Sequence, residues 1–366
     1  MNEQTASVSA PHADDERFMR LALALGRRNL GRTWPNPAVG AVIVKDGIIV
    51  GRGWTQPGGR PHAETVALAM AGEAARGATA YVTLEPCAHF GQTPPCADAL
   101  VAAGVARVVA AVEDPDPRVA GRGFATLEAV GIAVTHDVLR DEAAFLNEGF
   151  FKRIMAGQPM VAVKSAESAD GFVAKASVDK WITGERAREH AHLLRAQHEA
   201  IMVGSGTVLA DDPMLTCRLP GMEDRSPLRV ILDSDLRLPS TSRMAQTAWE
   251  RPTLVFTAST RESTLPSAVG VVRAPVGANG RLDLTDVLRQ LANRGITRVL
   301  VEGGPALENA LLDAGLADRV HLYKAPQALG GGVPGIGARV KADARFAVCE
   351  SSHLGRDIVE SYRAKD

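Results

Sequence analysis

Along the 366 residues, strand-length apolar runs alternate with helical periodicity, the pattern stops once, and it then begins again. Such alternation commits a chain to helices packed over a sheet, so the fold class is α/β. In the first stretch, Asp14 or Asp15 caps a helix whose apolar stripe is Phe18, Leu21, Ala22 and Leu25. After a Pro35-Asn36-Pro37 loop, residues 38–44 (AVGAVIV) read as a buried strand. Asp46-Gly47 then turns the chain into a second strand, IIVGRG. A helix from His62 to Ala71, a strand from Ala80 to Leu84, a helix from Ala97 to Ala103 and a strand from Arg107 to Val112 follow. A helix near 124–130, a strand at Ile132 to Thr135 and a helix from about Asp141 to Ala156 complete the stretch.

Gly157-Gln158-Pro159 is the break. Beyond it come the strand MVAVKSA, an Asp170-Gly171 turn, a helix from Glu185 to Ala196 and the strand AIMVG. The strands LRVILD, TLVFTA and VGVVRAP precede a helix from Leu284 to Asn293. The strand RVLVEGG, a helix from Ala306 to Ala314 and the strand RVHLYKAP follow. At roughly 150 residues per domain the length suits two domains. The expected division is a disordered polar tail over 1–13, one domain over 14–157 and another over 158–366.

Lys plus Arg is 41 against 42 for Asp plus Glu, a formal charge of -1, which argues against a non-specific polyanion binder. The 4% aromatic content argues against stacking platforms for nucleic-acid bases. No 18-residue apolar run is present, so no membrane span is expected. The first 18 residues lack the apolar stretch of a secretory signal. Four cysteines are too few for a disulfide framework in a chain this long. A cytoplasmic protein is expected.

His62-Ala63-Glu64, then Pro86-Cys87, then Cys96 form the sharpest chemical feature. Imidazole and thiolate suit zinc, and three protein ligands leave a fourth position for water, as catalytic sites do. Zinc lowers the pKa of that water and so generates hydroxide, and Glu64 is placed to shuttle protons. This order of residues matches the zinc-deaminase pattern H-x-E…P-C-x-x-C, except that AHFGQTPP lies between the cysteines. A structural zinc would need a fourth ligand, for which His89 is the candidate; inert buried thiols are the other reading. The His and Cys runs both fall at chain reversals, expected at one sheet edge. Cys217 and Cys349 have no ligand partners at useful spacing.

The second half has no GxGxxG after its first strand. Val301-Glu302-Gly303-Gly304-Pro305 and Val203-Gly204-Ser205-Gly206-Thr207 both follow strands, and together they favour a nucleotide or phosphate site. Asp211-Asp212-Pro213 reads as a turn rather than a metal pair, and Gly330-Gly331-Gly332 as a flexible loop.

NPAVGAVIV, PHAE, AYVTLEPCAHFGQTPPC, DPDPRVAGRGF, KWITG, GSGTVLADDP, LTCR and LVEGGP occur in one order over about residues 15–330. In these runs the chain resembles the bifunctional riboflavin-biosynthesis deaminase/reductase family (RibD type). The resemblance implies a cytidine-deaminase-like three-layer N-terminal domain and a dihydrofolate-reductase-like C-terminal domain. It implies a zinc hydrolase acting on a cyclic amidine C–N bond of a phosphoribosylated diaminopyrimidinone. It also implies an NADPH-dependent oxidoreductase converting the ribosyl to a ribityl chain.

By the same resemblance, His62, Cys87 and Cys96 hold zinc and Glu64 is catalytic. Asn36, His89 and Asp114 meet the deaminase substrate. In the second half Lys164 is catalytic, and Ala166, Trp181, Thr207, Asp211, Ser234, Gly304, Pro305, Ala306 and Leu307 bind NADPH. Asp179, Arg195, Leu215, Arg218 and Glu302 hold the phosphorylated substrate. A small-molecule pyrimidine is the expected partner, with neither nucleic acid nor membrane, and a dimer or tetramer is implied.

Four positions depart from the family pattern: Thr55 where it has His, Gln92 where it has Lys or Arg, Asp116 where it has Asn, and Asp179 where it has Ser. Loss of a cation at Gln92 and gain of an anion at Asp116 would weaken phosphate binding unless a neighbour such as Arg60 supplies the contact. A paralogue with a retuned deaminase pocket, or one active only in its reductase half, is the alternative reading. A non-catalytic zinc-stabilised binding protein is the rival from another class.

Overall fold

The structure, a computed structural model, describes residues 13–91, 93–117, 119–174 and 181–365. Of the expected tail, residues 1–12 lie outside the described residues, as do Gln92 and Asp179; Ala13 opens the first helix. The chain divides into two compact units, Met1–Ala156 and Gly157–Asp366.

The first unit runs α1 (Ala13–Gly26), β1 (Gly40–Lys45), β2 (Ile48–Trp54), α2 (Ala63–Ala71), β3 (Thr79–Val82), α3 (Cys96–Ala103) and β4 (Arg107–Ala110). It continues through α4 (Arg122–Glu128), β5 (Ala133–Thr135), α5 (Arg140–Leu146) and α6 (Glu148–Ala156). Its sheet has the order β2-β1-β3-β4-β5. β1 is antiparallel to both β2 and β3, and β3, β4 and β5 are parallel. It follows that β2 and β3 point the same way and end at the same side of the sheet. The hairpin turns at Asp46 (φ 50°) and Gly47 (φ 76°), both left-handed, as a two-residue I′ turn requires.

Glycines in β1 and β2 let the helices lie against the sheet. A Cβ at Gly40 would stand 1.8 Å from the Ala22 carbonyl oxygen of α1. At Gly51 and Gly53 it would stand 2.2 Å from the carbonyl oxygens of Ala67 and Ala63 in α2. Contact this close is backbone on backbone, so no rotamer change relieves it.

Three expectations need correction. Asp14 and Asp15 lie inside the first turn of α1 rather than capping it. Asp15 is buried and accepts from Tyr81 Oη (3.0 Å) and from both terminal nitrogens of Arg107 (3.0 and 2.8 Å), tying α1 to β3 and β4. The buried stripe is rotated accordingly: Phe18, Met19, Ala22 and Leu23 are buried, whereas Leu21 is exposed. The helix expected over 141–156 is broken at Asn147. That side chain instead accepts from Ala38 N (2.8 Å) and donates to Ala38 O (3.3 Å). An amide that finds backbone partners competes with helix continuation.

The second unit runs β6 (Met160–Glu167), β7 (Phe172–Ala174), α7 (Glu185–Ala196), β8 (Ala200–Gly204), α8 (Ser205–Asp211), β9 (Leu228–Leu232), α9 (Arg243–Gln246), β10 (Thr253–Thr257) and β11 (Val269–Arg273). Then come α10 (Leu284–Asn293), β12 (Arg298–Val301), α11 (Pro305–Asp313), β13 (Arg319–Lys324), β14 (Val333–Pro334), α12 (Gly337–Ala342), β15 (Phe346–Leu354) and β16 (Asp357–Ala364). Nine strands pair as β11-β10-β9-β8-β12-β6-β13-β16-β15. The first seven in that order are parallel, and β16 and β15 close the edge antiparallel. The last 35 residues, to which the sequence reading assigns no element, supply this hairpin. The Gly330-Gly331-Gly332 loop is anchored, because Asp170 accepts from Leu329 N (2.9 Å) and Gly330 N (2.7 Å). Among the described residues, no helix is long and apolar enough to cross a membrane.

Gly53→Ala should push α2 off the sheet and with it His62 at the helix start. The expected outcome is a loss of bound metal by elemental analysis in protein that still folds, as followed by circular dichroism. Full metal occupancy would show that α2 is not positioned by this contact.

Candidate active sites

In the first unit, the parallel directions of β2 and β3 bring two chain reversals to one end of the sheet. His62 is the residue before α2, Cys87 lies in the loop after β3, and Cys96 opens α3. The group thus lies at the carboxyl ends of the strands, not along a sheet edge as expected; β3 is a central strand. His62 Nδ1 stands 3.3 Å from Cys96 Sγ and 3.7 Å from Cys87 Sγ. Zinc bonds of about 2.3 Å to sulfur and 2.0–2.1 Å to nitrogen, at a tetrahedral angle, put those atoms about 3.6 Å apart. The ligand atoms lie within 4.8 Å of one another, and among the described residues this is the one such group. His89 is not part of it, so the described residues bring three ligand atoms together rather than four.

The electrostatics agree with a cation-binding group. Hydrogen bonding from Cys96 does most to bring the Cys87 thiol down to about 4, and its backbone N–H donates to Cys87 Sγ at 3.2 Å. The hydrogen bond with Cys87, then burial, pushes the Cys96 thiol up. Two thiols with opposed shifts compete for one anionic state, a conflict that a divalent ion removes. Glu64 is buried, and burial raises its carboxyl.

A cavity of about 230 Å³ opens beside this group, lined by Asn36, Thr55, Arg60, His89, Asp114 and Asp116 among others. Asn36 is aimed by donating its Nδ2 to Gly59 O (2.9 Å). His89 Nδ1 is buried with no hydrogen-bond partner. Burial pushes Asp114 up to about 7, aided by the charges of Asp116 and Glu85 and opposed by a hydrogen bond from Asp116 N. Glu85 was not singled out from sequence. It accepts from Asp114 N, Gly121 N and Gly123 N (3.2, 3.0 and 2.8 Å) and so fixes the loop that carries both aspartates. Its place between the Leu84 strand end and Pro86 was the available signal. Of the departures, Thr55 is committed to the backbone, accepting from Val39 N at 3.0 Å. Arg60 lines the cavity and donates to Thr93 Oγ1 (2.6 Å), so a cation stands in the cavity wall.

In the second unit, two cavities lie at the carboxyl ends of the parallel strands, where open α/β sheets bind ligands. One, of about 370 Å³, gathers Lys164, Ala166, Trp181, Thr207, Asp211, Arg195, Arg218, Glu302, Gly304 and Pro305. The other, of about 730 Å³, gathers Thr207, Asp211, Ser234 and Gly304 to Leu307. Its wall includes Gly204 and Gly206, where an added Cβ would meet nothing within 4 Å. α11 starts on it with Gly304 before it, Pro305 at its first position and no side-chain cap. A long, glycine-lined cleft ending on uncapped amide groups fits a dinucleotide with its pyrophosphate.

Arg195 is placed differently from the phosphate-facing role implied by sequence. Its Nε and Nη2 donate to Glu302 Oε1 and Oε2 (2.6 and 2.8 Å), and its Nη1 donates to Thr216 O (2.9 Å). Burial pushes the Glu302 carboxyl up, but Arg195 outweighs it and Lys164 adds to the pull, so it comes down to about 2. Leu215 is a core side chain at φ 53°. Asp211 ends α8 rather than lying in the expected turn, and Asp212, left-handed at φ 39°, accepts from Arg243 N (2.8 Å). His192, Tyr323 and Glu308 line the smaller cavity and were not singled out from sequence. They come from three elements, so no local motif marks them.

Residues 12–112 match the family model described as the cytidine and deoxycytidylate deaminase zinc-binding region, and residues 159–359 match the RibD C-terminal domain. The chain is 46% identical over 363 residues to riboflavin biosynthesis protein RibD of Escherichia coli (strain K12), covering 94% of this chain and 98% of that protein. Among solved structures it resembles Acinetobacter baumannii RibD (form 1), with TM-score 0.86, 40% identity, and 96% and 99% of the two chains covered. It also resembles a diaminohydroxyphosphoribosylaminopyrimidine deaminase/5-amino-6-(5-phosphoribosylamino)uracil reductase from Thermotoga maritima, with TM-score 0.86, 35% identity, and 96% and 99% covered.

Cys96→Ala should reduce bound zinc to a trace by elemental analysis, whereas His89→Ala should leave it stoichiometric. Zinc lost with His89 would mean a four-ligand structural site.

Proposed function

Since the chain belongs to the RibD family and is a bifunctional zinc-dependent deaminase and NADPH-dependent reductase of riboflavin biosynthesis, we propose which residues carry each half of that work. The deaminase substrate is 2,5-diamino-6-(5-phosphoribosylamino)pyrimidin-4-one, and its deaminated product is the reductase substrate, in line with the name of the Thermotoga protein. The observation that carries the first half is the His62, Cys87 and Cys96 group with buried Glu64 beside it.

His62, Cys87 and Cys96 would hold zinc, which would supply a water acidic enough to serve as nucleophile at neutral pH. Glu64 takes the water's proton and hands it to the departing ammonia. Asn36 and the unpartnered His89 Nδ1 orient the pyrimidine, and Asp114 accepts from its amino or ring N–H groups. Arg60 stands in for the cation missing at Gln92, which favours a working pocket over a retuned one.

The larger cleft and the smaller cavity beside it would hold NADPH, through Thr207, Asp211, Ser234, Gly304, Pro305, Ala306 and Leu307 in the one and Ala166 and Trp181 in the other. The cofactor supplies the hydride of the reduction. Arg195 positions Glu302, which accepts from the sugar hydroxyls, and Lys164 orients the ribosyl amine. Arg218 is left to meet the phosphate. Asp179, outside the described residues, is a further substrate contact. A small-molecule pyrimidine is the partner; a cytoplasmic dimer or tetramer working without nucleic acid or membrane completes the reading.

The test is a coupled assay that records ammonia release and NADPH oxidation from zinc-loaded protein. Both signals are expected. Glu64→Gln should cut ammonia release about 10²–10⁴-fold and leave reduction of pre-deaminated substrate intact. Arg218→Ala should raise the reductase KM at least about tenfold with kcat nearly unchanged, corresponding to about 1.4 kcal/mol of lost phosphate binding. NADPH oxidation only from pre-deaminated substrate would reject the first half of the reading.

A further inference from the structure

The smaller cavity of the second unit has three carboxyl-bearing residues in its wall among those described: Asp211, Glu302 and Glu308. Glu302 is held as the anion by Arg195. Glu308 is in a contrasting setting. It sits on the first full turn of α11, 2% exposed, with Ser165 Oγ donating to its Oε2 at 3.2 Å. The charged groups that bear on it are Lys164 and Glu167, both from β6. A buried carboxyl answered by one neutral hydroxyl is far better solvated as the acid than as the anion.

The reduction needs an acid. In the ring-closed ribosyl amine, the C1′–O4′ bond must break with its electron pair going to O4′, which then requires a proton. The amine lone pair forms C=N at C1′. Hydride from NADPH then reduces C1′, and NADPH becomes NADP⁺. One proton is consumed overall, and it ends on the new hydroxyl. Resting on the reductase reading above, we propose that Glu308 is a catalytic residue of the second unit, giving its carboxyl proton to the ribose ring oxygen as the ring opens. The carboxylate left behind is reprotonated from solvent before the next turnover.

Burial pushes the Glu308 carboxyl up to about 8, against the pull of Ser165 and Lys164. The proton is therefore present through neutral pH and lost above that value, so the reductase kcat should be flat below it and fall above it. Full-length zinc-loaded enzyme is given pre-deaminated substrate and NADPH across pH 6–10. Glu308→Gln, which keeps a partner for Ser165, should lower kcat at least about a hundredfold and abolish the alkaline fall, with NADPH affinity retained. Ser165→Ala removes a bond that favours the anion and should move the fall to higher pH. Difference infrared spectra read the proton without turnover. The wild-type spectrum minus that of Glu308→Gln, in which other buried carboxyls such as Asp114 cancel, should show a protonated-carboxyl band that fades as pH rises through about 8.

A Gln variant that keeps its rate, or keeps the alkaline fall, overturns the proposal. So does a difference spectrum without the band at pH 6. A wild type that does not oxidise NADPH overturns the reductase reading instead, and the infrared result still decides whether Glu308 holds a proton.

Discussion

Parallel strands joined through helices impose one constraint on which the rest of both units depends. Strand carboxyl ends and helix starts gather on a single side of the sheet, and side chains that do chemistry must stand there. In the first unit the shared direction of β2 and β3 delivers His62 and Cys87 to the same end, although 25 residues separate them. In the second, the ends of β6, β8, β12 and β13 deliver Lys164, Gly204, Glu302 and Tyr323. Among the described residues, the opposite ends carry none of the proposed site residues.

On this frame the two units solve the problem of buried charge differently. The first leaves a charge deficit that a cation fills: two thiols, an imidazole and a buried carboxylate crowd one point. The second is internally paired. Arg195 and Glu302 neutralise one another with bidentate geometry, which stiffens both side chains and withdraws the guanidinium fork from other anions. Breaking a pair so buried leaves a charge without a partner, so neither residue is expected to tolerate truncation.

The alternation of periods was enough to locate nearly every strand of the parallel sheets, because those strands are continuous apolar runs buried on both faces. It failed where tertiary contacts decide. Asn147 reads as a helical position until Ala38 is found 109 residues away. Asp15 reads as a cap until Tyr81 and Arg107 claim it. The β15–β16 hairpin escaped notice because β15 is largely exposed and lacks the apolar run of a core strand. At the sites, His62, Glu64, Cys87 and Cys96 were legible because ligand chemistry restricts residue type and order. Glu85, His192 and Glu308 were not, since a carboxylate or imidazole acquires its role only from neighbours contributed by other elements. Glycine was the subtlest case: IIVGRG reads as a strand without showing why it holds two glycines, and Gly51 and Gly53 prove to be spacers between that strand and a helix.

The clamp between Asn147 and Ala38 bears on how the protein is made. A chain emerging from the ribosome exposes positions 62, 87 and 96 well before position 147. The loop at Pro35–Pro37 forms one wall of the first cavity, and the clamp that holds its end arrives last. All three ligand positions thus precede the residue that fastens this wall, and closure of the pocket waits on a side chain 51 positions beyond Cys96.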